Sequence, residues 1–122
     1  MNDKSKQTSQ KLRGGYYTPH DLAMFLSKWV VKDKDVSSIL EPSAGDGVFV
    51  DCLMNISKIL NVTAIEIVEE ESKKILSKTK ISDSFKVINT DFYNFYESYI
   101  SEDNNDCLKY DAVLGNPPYI RY

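Results

Sequence analysis

"SILEPSAGDGVF", residues 38–49, changes character twice within a dozen positions. Ile39 and Leu40 form a short apolar run bounded by turn residues, the pattern of a buried strand around 38–40. Pro42 to Gly47 offers only small or polar side chains, so that part cannot pack a core and reads as a loop. From Val48 onward Phe49, Leu53, Ile56 and Leu60 recur at helical spacing, which predicts a helix over 48–60. A strand passed to a helix through a glycine loop is the unit from which α/β folds are built.

The alternation continues on both sides. Upstream, "TPHDLAMFLSKWVV" (18–31) predicts a helix in which Thr18 caps, Pro19 takes the first helical position and Asp21 completes a capping box. Its apolar stripe, Leu22, Phe25, Leu26, Trp29 and Val30, is expected to pack on a sheet. Downstream, "NVTAIEI" (61–67) reads as a second strand, "VEEESKKILSKTK" (68–80) as a charged helix and "SFKVINT" (84–90) as a third strand. "DFYNFYESYI" (91–100) predicts a helix with Phe92, Phe95, Tyr96, Tyr99 and Ile100 as its buried face. After an acidic loop, "YDAVLG" (110–115) is a fourth strand, whereas residues 1–13 are polar, without periodicity, and read as a disordered tail. The result is a mostly parallel sheet with helices on both faces and ligands at the carboxyl ends of the strands.

A chain of 122 residues, 42% hydrophobic, supports one core and not two. Its net charge of -3 argues against a free-standing nucleic-acid binder, because affinity for phosphate backbones comes largely from Lys and Arg. No apolar run approaches a membrane span and the N-terminus lacks a signal-like segment, so no membrane contact and a cytoplasmic location are expected. Cys52 and Cys107 stand apart from each other and from any Cys/His cluster; reduced thiols and no metal site follow.

Four strand ends carry the chemistry. In "EPSAGDG" (41–47), Gly45 and Gly47 allow backbone to approach a ligand, and Glu41 and Asp46 disfavour a pyrophosphate but suit an ammonium. A plain tight turn is the competing reading. Glu66, twenty residues after Asp46, stands where an acid accepts from both hydroxyls of a ribose, or is an exposed glutamate at a strand end. Asp91 can accept from an adenine amino group while Phe92 packs on the base; equally, they read as a helix N-cap and a core aromatic. In "NPPY" (116–119), the Asn116 side-chain oxygen and the Pro117 carbonyl can accept the two hydrogens of a conjugated amine, freeing its lone pair to attack. Pro117 and Pro118 hold those acceptors at one spacing and Tyr119 can stack on the ring; a Pro-Pro loop closing a strand is the alternative.

Together these stretches resemble the amino-methylating DNA methyltransferases, in particular the N6-adenine enzymes of restriction-modification systems. "GGYYTP" (14–19) is similar to the family's first motif, which implies that Tyr17, Thr18 and Pro19 close over the methionine end of S-adenosylmethionine. "EPSAGDGVF" is similar to the methionine-binding loop, implying cofactor contacts from Glu41, Pro42, Ser43, Ala44, Gly45, Asp46 and Gly47. Glu66 matches the ribose-binding acid, Ile67 the apolar residue against the cofactor adenine, and Asp91 with Phe92 the pair at its edge. Asn116, Pro117, Pro118 and Tyr119 match the catalytic tetrapeptide. The resemblance implies a Rossmann-like methyltransferase fold and methyl transfer to the N6 amine of an adenine flipped out of double-stranded DNA, with no metal and no evident general base. His20, in the first turn of the amino-terminal helix, reads as a surface histidine.

Such enzymes carry three more strands and a target-recognition domain. The expectation is therefore an N-terminal part of the catalytic domain over 14–122, strand order 3-2-1-4, inactive alone, with strand 4 as an open edge that invites a homodimer. The DNA surface would belong to the missing part. Two alternatives remain open: a protein-glutamine N5-methyltransferase acting on release factors, and a non-catalytic module that binds S-adenosylmethionine or assists assembly. "GGYYTP" placed before the glycine loop favours the DNA enzymes.

Overall fold

The computed structural model describes residues 17–79, 82–100 and 109–117. In chain order these hold α1 (His20–Val30), β1 (Ser38–Glu41), α2 (Val48–Met54), β2 (Asn61–Ile65), α3 (Glu69–Thr79) and β3 (Phe85–Ile88). A single-turn α4 (Phe92–Phe95) runs into a π-helical stretch, Tyr96–Ile100, and β4 (Ala112–Val113) follows. The four strands form one parallel sheet in the order β3-β2-β1-β4, as expected for a Rossmann-like α/β fold. Ile39 lies opposite Val62 and Ala112, and Leu40 opposite Thr63 and Val113.

Because successive strand side chains face opposite ways, β1 feeds two cores. Ile39 packs with Ala23, Phe49, Leu53 and Leu114 under α1 and α2, whereas Leu40 packs with Ile65 and Phe95 on the other face. A third cluster, Ala44, Val50, Ala64 and Ile75, seats α3. Ile39, Ile65 and Phe95 are among the largest fully buried side chains, each contributing roughly 1.5–3 kcal/mol of transfer free energy. Cys52 is also fully buried, and burial pushes its thiol pKa up, which fits an inert packed thiol.

At the bottom of the sheet Asp111 binds β4 to β1. Its Oδ2 accepts from the Ser37 and Ser38 N–H groups at 2.9 and 3.0 Å, and its own N–H donates to Ser38 Oγ at 2.9 Å. These bonds hold its carboxyl below the usual aspartate range. A strand of only two residues is thereby fixed in register, which sets where the chain beyond Leu114 emerges.

The structure revises three local expectations. The N-cap of α1 is Pro19, without a side-chain cap bond, so Thr18 does not cap and Pro19 is not the first helical residue. The face of α1 that is fully buried is Ala23 and Ser27, while Leu22, Phe25 and Trp29 are 49%, 65% and 67% exposed. Small residues at i and i+4 let α1 lie close to its neighbours, and Leu26 and Val30 alone of the predicted stripe pack against the core.

The second revision concerns α2, which ends at Met54 and not at Leu60, with the Asn55 side chain donating to Asp51 O at 2.9 Å. Ile56 and Leu60 still reach the core, from a loop that the Lys58 ammonium ties to the carbonyls of Val31 and Asp33 at 3.1 and 2.8 Å. Third, the aromatic helix at 91–100 buries Phe95 fully, whereas Phe92, Tyr96 and Tyr99 stay exposed. The switch to π geometry moves side chains off the 3.6-residue period on which that expectation rested.

Among the described residues no helix is long and apolar enough to cross a membrane, and no group of His, Cys, Asp and Glu is placed to hold a metal ion. The tail 1–13, the acidic loop with Cys107, and Pro118 and Tyr119 lie outside the described residues.

Candidate functional site

The loop between β1 and α2 turns through two left-handed residues, Gly45 at φ +58° and Gly47 at φ +81°. That backbone strains any side chain at either position, but the surroundings of the two differ. A Cβ on Gly45 would meet nothing within 4 Å, so that glycine leaves open space, whereas one on Gly47 would lie 2.9 Å from Ile75 Cγ1. Gly47 thus serves the seating of α3, whereas Gly45 leaves room beside the loop. The loop is secured to the next strand by the Ala44 N–H donating to Ile65 O at 2.8 Å.

Glu66, at the end of β2, joins the two neighbouring loops. Its Oε1 accepts from the Gly45 N–H and its Oε2 from the Val68 N–H, each at 2.7 Å. Buried to 7% exposure, it is no idle strand-end carboxylate, and each oxygen retains a second lone pair for a ligand hydroxyl. Asn89 supports it from β3, donating to the carbonyls of Glu66 and Ile67 at 2.9 and 3.1 Å. Sequence reading passed over Asn89, because an asparagine just after a strand looks like an ordinary turn residue.

These loops enclose a cleft of about 490 Å³ at the carboxyl ends of the strands, a size suited to a small molecule. Tyr17 and Thr18 line it from the segment before α1, and Pro42, Ser43, Ala44, Gly45 and Asp46 from the glycine loop. Glu66, Ile67, Asp91 and Phe92 line it from the ends of β2 and β3, and Asn116 with Pro117 from beyond β4. Four separate strand ends therefore converge on one volume. Pro19, Glu41 and Gly47 are not in its wall, while Val48, Phe49, Val68, Glu71 and Thr90 are wall residues for which no contact was expected from the sequence.

The wall is chemically divided. On one side Ile67 and Phe92, 67% and 45% exposed, turn apolar surface toward the cleft, which suits the faces of a flat ring. Asp91 borders that side and also caps α4: its Oδ1 accepts from the Asn94 N–H at 2.7 Å and its Oδ2 from Asn94 Nδ2 at 2.8 Å. The N-cap reading of Asp91 is thus the one observed, and the same residue borders the cleft. On the other side Asp46 accepts from the Val48 N–H at 3.2 Å, and burial, with the Glu71 carboxylate adding, raises its pKa.

Glu41 occupies a separate layer beneath the loop. It is fully buried; its Oε1 accepts from the Ser43 N–H at 3.0 Å, and its Oε2 has no partner among the described residues. Burial, with Glu66 and Asp46 nearby, raises its pKa to about 8. The carboxyl also lies against Gly115, where an added Cβ would come within 3.2 Å of both of its oxygens and of its Cδ.

Two expectations follow. Gly115→Ala should lower stability by roughly 1–3 kcal/mol, the cost of overpacking, and Glu41→Ala should recover part of the loss; both are read by urea denaturation. A carboxyl with its pKa raised on folding stabilises fully below its unfolded value and loses that contribution as pH rises through the folded one. Against Glu41→Gln, which mimics the neutral acid at every pH, native stability should therefore fall between pH 4.5 and about 8 and then run level. The limiting slope is about 1.4 kcal/mol per pH unit.

Asn116 sits at the mouth of this layer. Its Nδ2 donates to Thr18 Oγ1 at 3.1 Å, a bond between residues at opposite ends of the described chain. Pro117 follows directly in the cleft wall.

Comparison with known proteins gives this geometry a family. The chain is 35% identical over 120 residues to the type II methyltransferase M.HincII of Haemophilus influenzae, matching 98% of its own length and 19% of that protein's. It is 26% identical over 97 residues to the ribosomal protein uL3 glutamine methyltransferase of Francisella tularensis, matching 77% of its own length and 28% of that enzyme's. Among solved structures, PH1948 from Pyrococcus horikoshii, described provisionally as an RNA methyltransferase, superposes with a TM-score of 0.65 at 21% identity, covering 87% of this chain and 49% of that one. The plantazolicin methyltransferase BpumL, solved in complex with SAH, gives 0.53 at 19% identity over 93% of this chain and 37% of that one. The chain thus spans about a fifth of the length of its type II relative, and the structural likenesses bear on fold alone. The family model for N-6 DNA methylases matches residues 2–122, nearly the whole chain, and the protein belongs to that family.

Proposed function

We propose that this chain is the cofactor-binding and amine-presenting part of an S-adenosylmethionine-dependent DNA adenine N6-methyltransferase of restriction-modification type. The observation that carries the reading is that Asn116 and Pro117 share one cleft with Glu66, Asp91 and the Gly45 loop. A fold that only needed to close a strand with Pro-Pro has no reason to aim that strand end at a volume lined by four acids and a glycine turn. Family membership and the M.HincII similarity support the same substrate class.

The residues fit such a cofactor. Glu66 keeps free lone pairs for the ribose hydroxyls, and Ile67 and Phe92 supply apolar surface for the adenine, with Asp91 at its edge. Tyr17 and Thr18 would close over the methionine end, and Pro42 to Asp46 would hold it from the glycine loop. The unpartnered Glu41 Oε2 is the buried acceptor left for the ammonium, acting from under the loop and not from the cleft wall. When bound, S-adenosylmethionine supplies an electrophilic methyl group on a sulfonium centre. Asn116 Oδ1 and the Pro117 carbonyl then accept the two hydrogens of the target amine, hold it against that methyl, and stabilise the positive charge that develops on the nitrogen. Pro118 and Tyr119 complete the tetrapeptide, with Tyr119 stacking on the flipped base.

We take residues 14–122 as the N-terminal part of the catalytic domain; target recognition and the basic DNA surface come from the further sequence that the relatives' length implies. The outer edge of β4, paired only with β1 among the described residues, accepts either the next strand of a longer sheet or a second copy of this chain. A cytoplasmic setting accords with this role.

The uL3 similarity favours one other reading, methylation of a glutamine side-chain amide, since the same two acceptors suit that nitrogen. Labelled methyl transfer from the full-length gene product decides between them. Label in N6-methyladenine of duplex DNA is expected; label in a release factor or a ribosomal protein, with none in DNA, overturns the DNA reading.

A further inference from the structure

The geometry points to Thr18 as a positioning residue for methyl transfer: we propose that its hydroxyl fixes the Asn116 amide and strengthens the Asn116 Oδ1 as an acceptor. This rests on the reading of Asn116 as the residue that receives the amine hydrogens. The contact itself is direct, with Asn116 Nδ2 donating to Thr18 Oγ1 at 3.1 Å across 98 positions of sequence. Thr18 is available for it because it does not cap α1. Pro19 takes the N-cap position in extended backbone, and the Pro19 carbonyl accepts from the Ala23 N–H at 3.0 Å, so the helix start is secured without the hydroxyl.

Thr18 is also well held. It is 9% exposed, one residue from the N-cap of a helix whose Ala23 and Ser27 are fully buried. A rigid acceptor at this point does two things to a primary amide. It confines the side-chain torsions, including rotation of the amide plane about its last bond. It also draws on the Nδ2–H bond, and because the amide is conjugated, density moves to Oδ1, making that oxygen a stronger acceptor. Gly115, immediately before Asn116, lies close against the buried Glu41 carboxyl, so the backbone that carries the amide is packed as well.

The consequence links two ends of the chain that the motifs treat separately. The segment expected only to cover the cofactor also sets the orientation of the amine acceptor, so Thr18 faces both halves of the reaction.

The test is a double-mutant cycle in the full-length protein, with single-turnover methylation of duplex DNA as one readout and calorimetric S-adenosylmethionine affinity as another. Thr18→Val, which keeps the shape and removes the acceptor, should slow the single-turnover rate at saturating cofactor about tenfold, a larger factor than any weakening of cofactor affinity. Thr18→Ser should restore most of the rate. In an Asn116→Ala background the Val substitution should have no further effect, because Thr18 acts through Asn116. Equal losses of rate in both backgrounds, or a loss confined to cofactor affinity, would overturn the proposal and make Thr18 a cofactor contact only. A third readout does not depend on activity. In the amide spectrum of this 122-residue chain, the Asn116 side-chain NH₂ signal should shift and lose protection from exchange in Thr18→Val but not in Thr18→Ser. An unchanged signal contradicts the contact. If the signal responds while the wild-type protein methylates no amine, the functional reading is what fails; if methylation is normal and Thr18→Val leaves its rate untouched, this inference fails alone.

Discussion

Asn116→Ala is expected to lower the single-turnover rate of methyl transfer by about 10²–10³-fold while leaving cofactor affinity within about threefold of native. The reasoning is geometric. Asn116 reaches the cleft from the β4 end, whereas most residues proposed to grip the cofactor come from the ends of β1, β2 and β3, so its removal deletes an acceptor for the amine and, on the cofactor side, only its bond to Thr18. An exocyclic amine conjugated with its ring reacts poorly until its hydrogens are drawn off the ring plane, and the Pro117 carbonyl alone offers one acceptor for two hydrogens. A drop in cofactor affinity equal to the drop in rate would mean that Asn116 serves the cofactor, contrary to the proposed division of labour. Rapid-quench measurement of labelled methyl incorporation, beside calorimetry, separates the two effects.

Glu66→Ala should weaken S-adenosylmethionine binding by about a hundredfold or more. The carboxylate accepts from two backbone N–H groups, Gly45 and Val68, each at 2.7 Å, and hydrogen bonds to a charged group contribute roughly 1.5–3 kcal/mol apiece. Without it the loops that form the cleft lose their common anchor, in addition to the proposed ribose contact. Glu66→Gln is informative for a different reason. Both backbone partners are donors, and a glutamine can accept at only one end, so its NH₂ must face one of those N–H groups. The Gln variant should therefore also bind the cofactor weakly, by about tenfold, despite its identical shape. A native-like affinity in Glu66→Gln would show that shape, and not the pair of acceptors, is what the site requires.

The element order and the placing of the chemistry at four strand ends were legible because periodicity and turn residues report them directly, whereas the 3-2-1-4 strand order came from the family resemblance and is the order observed. What was not legible depended on contacts distant in sequence. Leu22, Phe25 and Trp29 read as a buried stripe on hydrophobicity alone, yet close approach of α1 selects the small residues Ala23 and Ser27. Thr18 carries every local sign of a capping residue, and only the return of the chain at Asn116 gives its hydroxyl another partner. Glu41 reads as a ligand contact from its place in the loop; that it sits beneath the wall, pressed on Gly115, follows from how β4 emerges beside β1. Asn89 carries no motif signal at all, since its role is to hold two carbonyls of a neighbouring loop.

Calorimetric titration of this 122-residue chain with S-adenosylmethionine, beside Glu66→Ala, tests the central claim most directly, because the proposed cofactor side of the cleft is built from residues 17–92. Saturable binding at one site, lost in the variant, is expected. Heat that is absent from both, or the same in both, would contradict it.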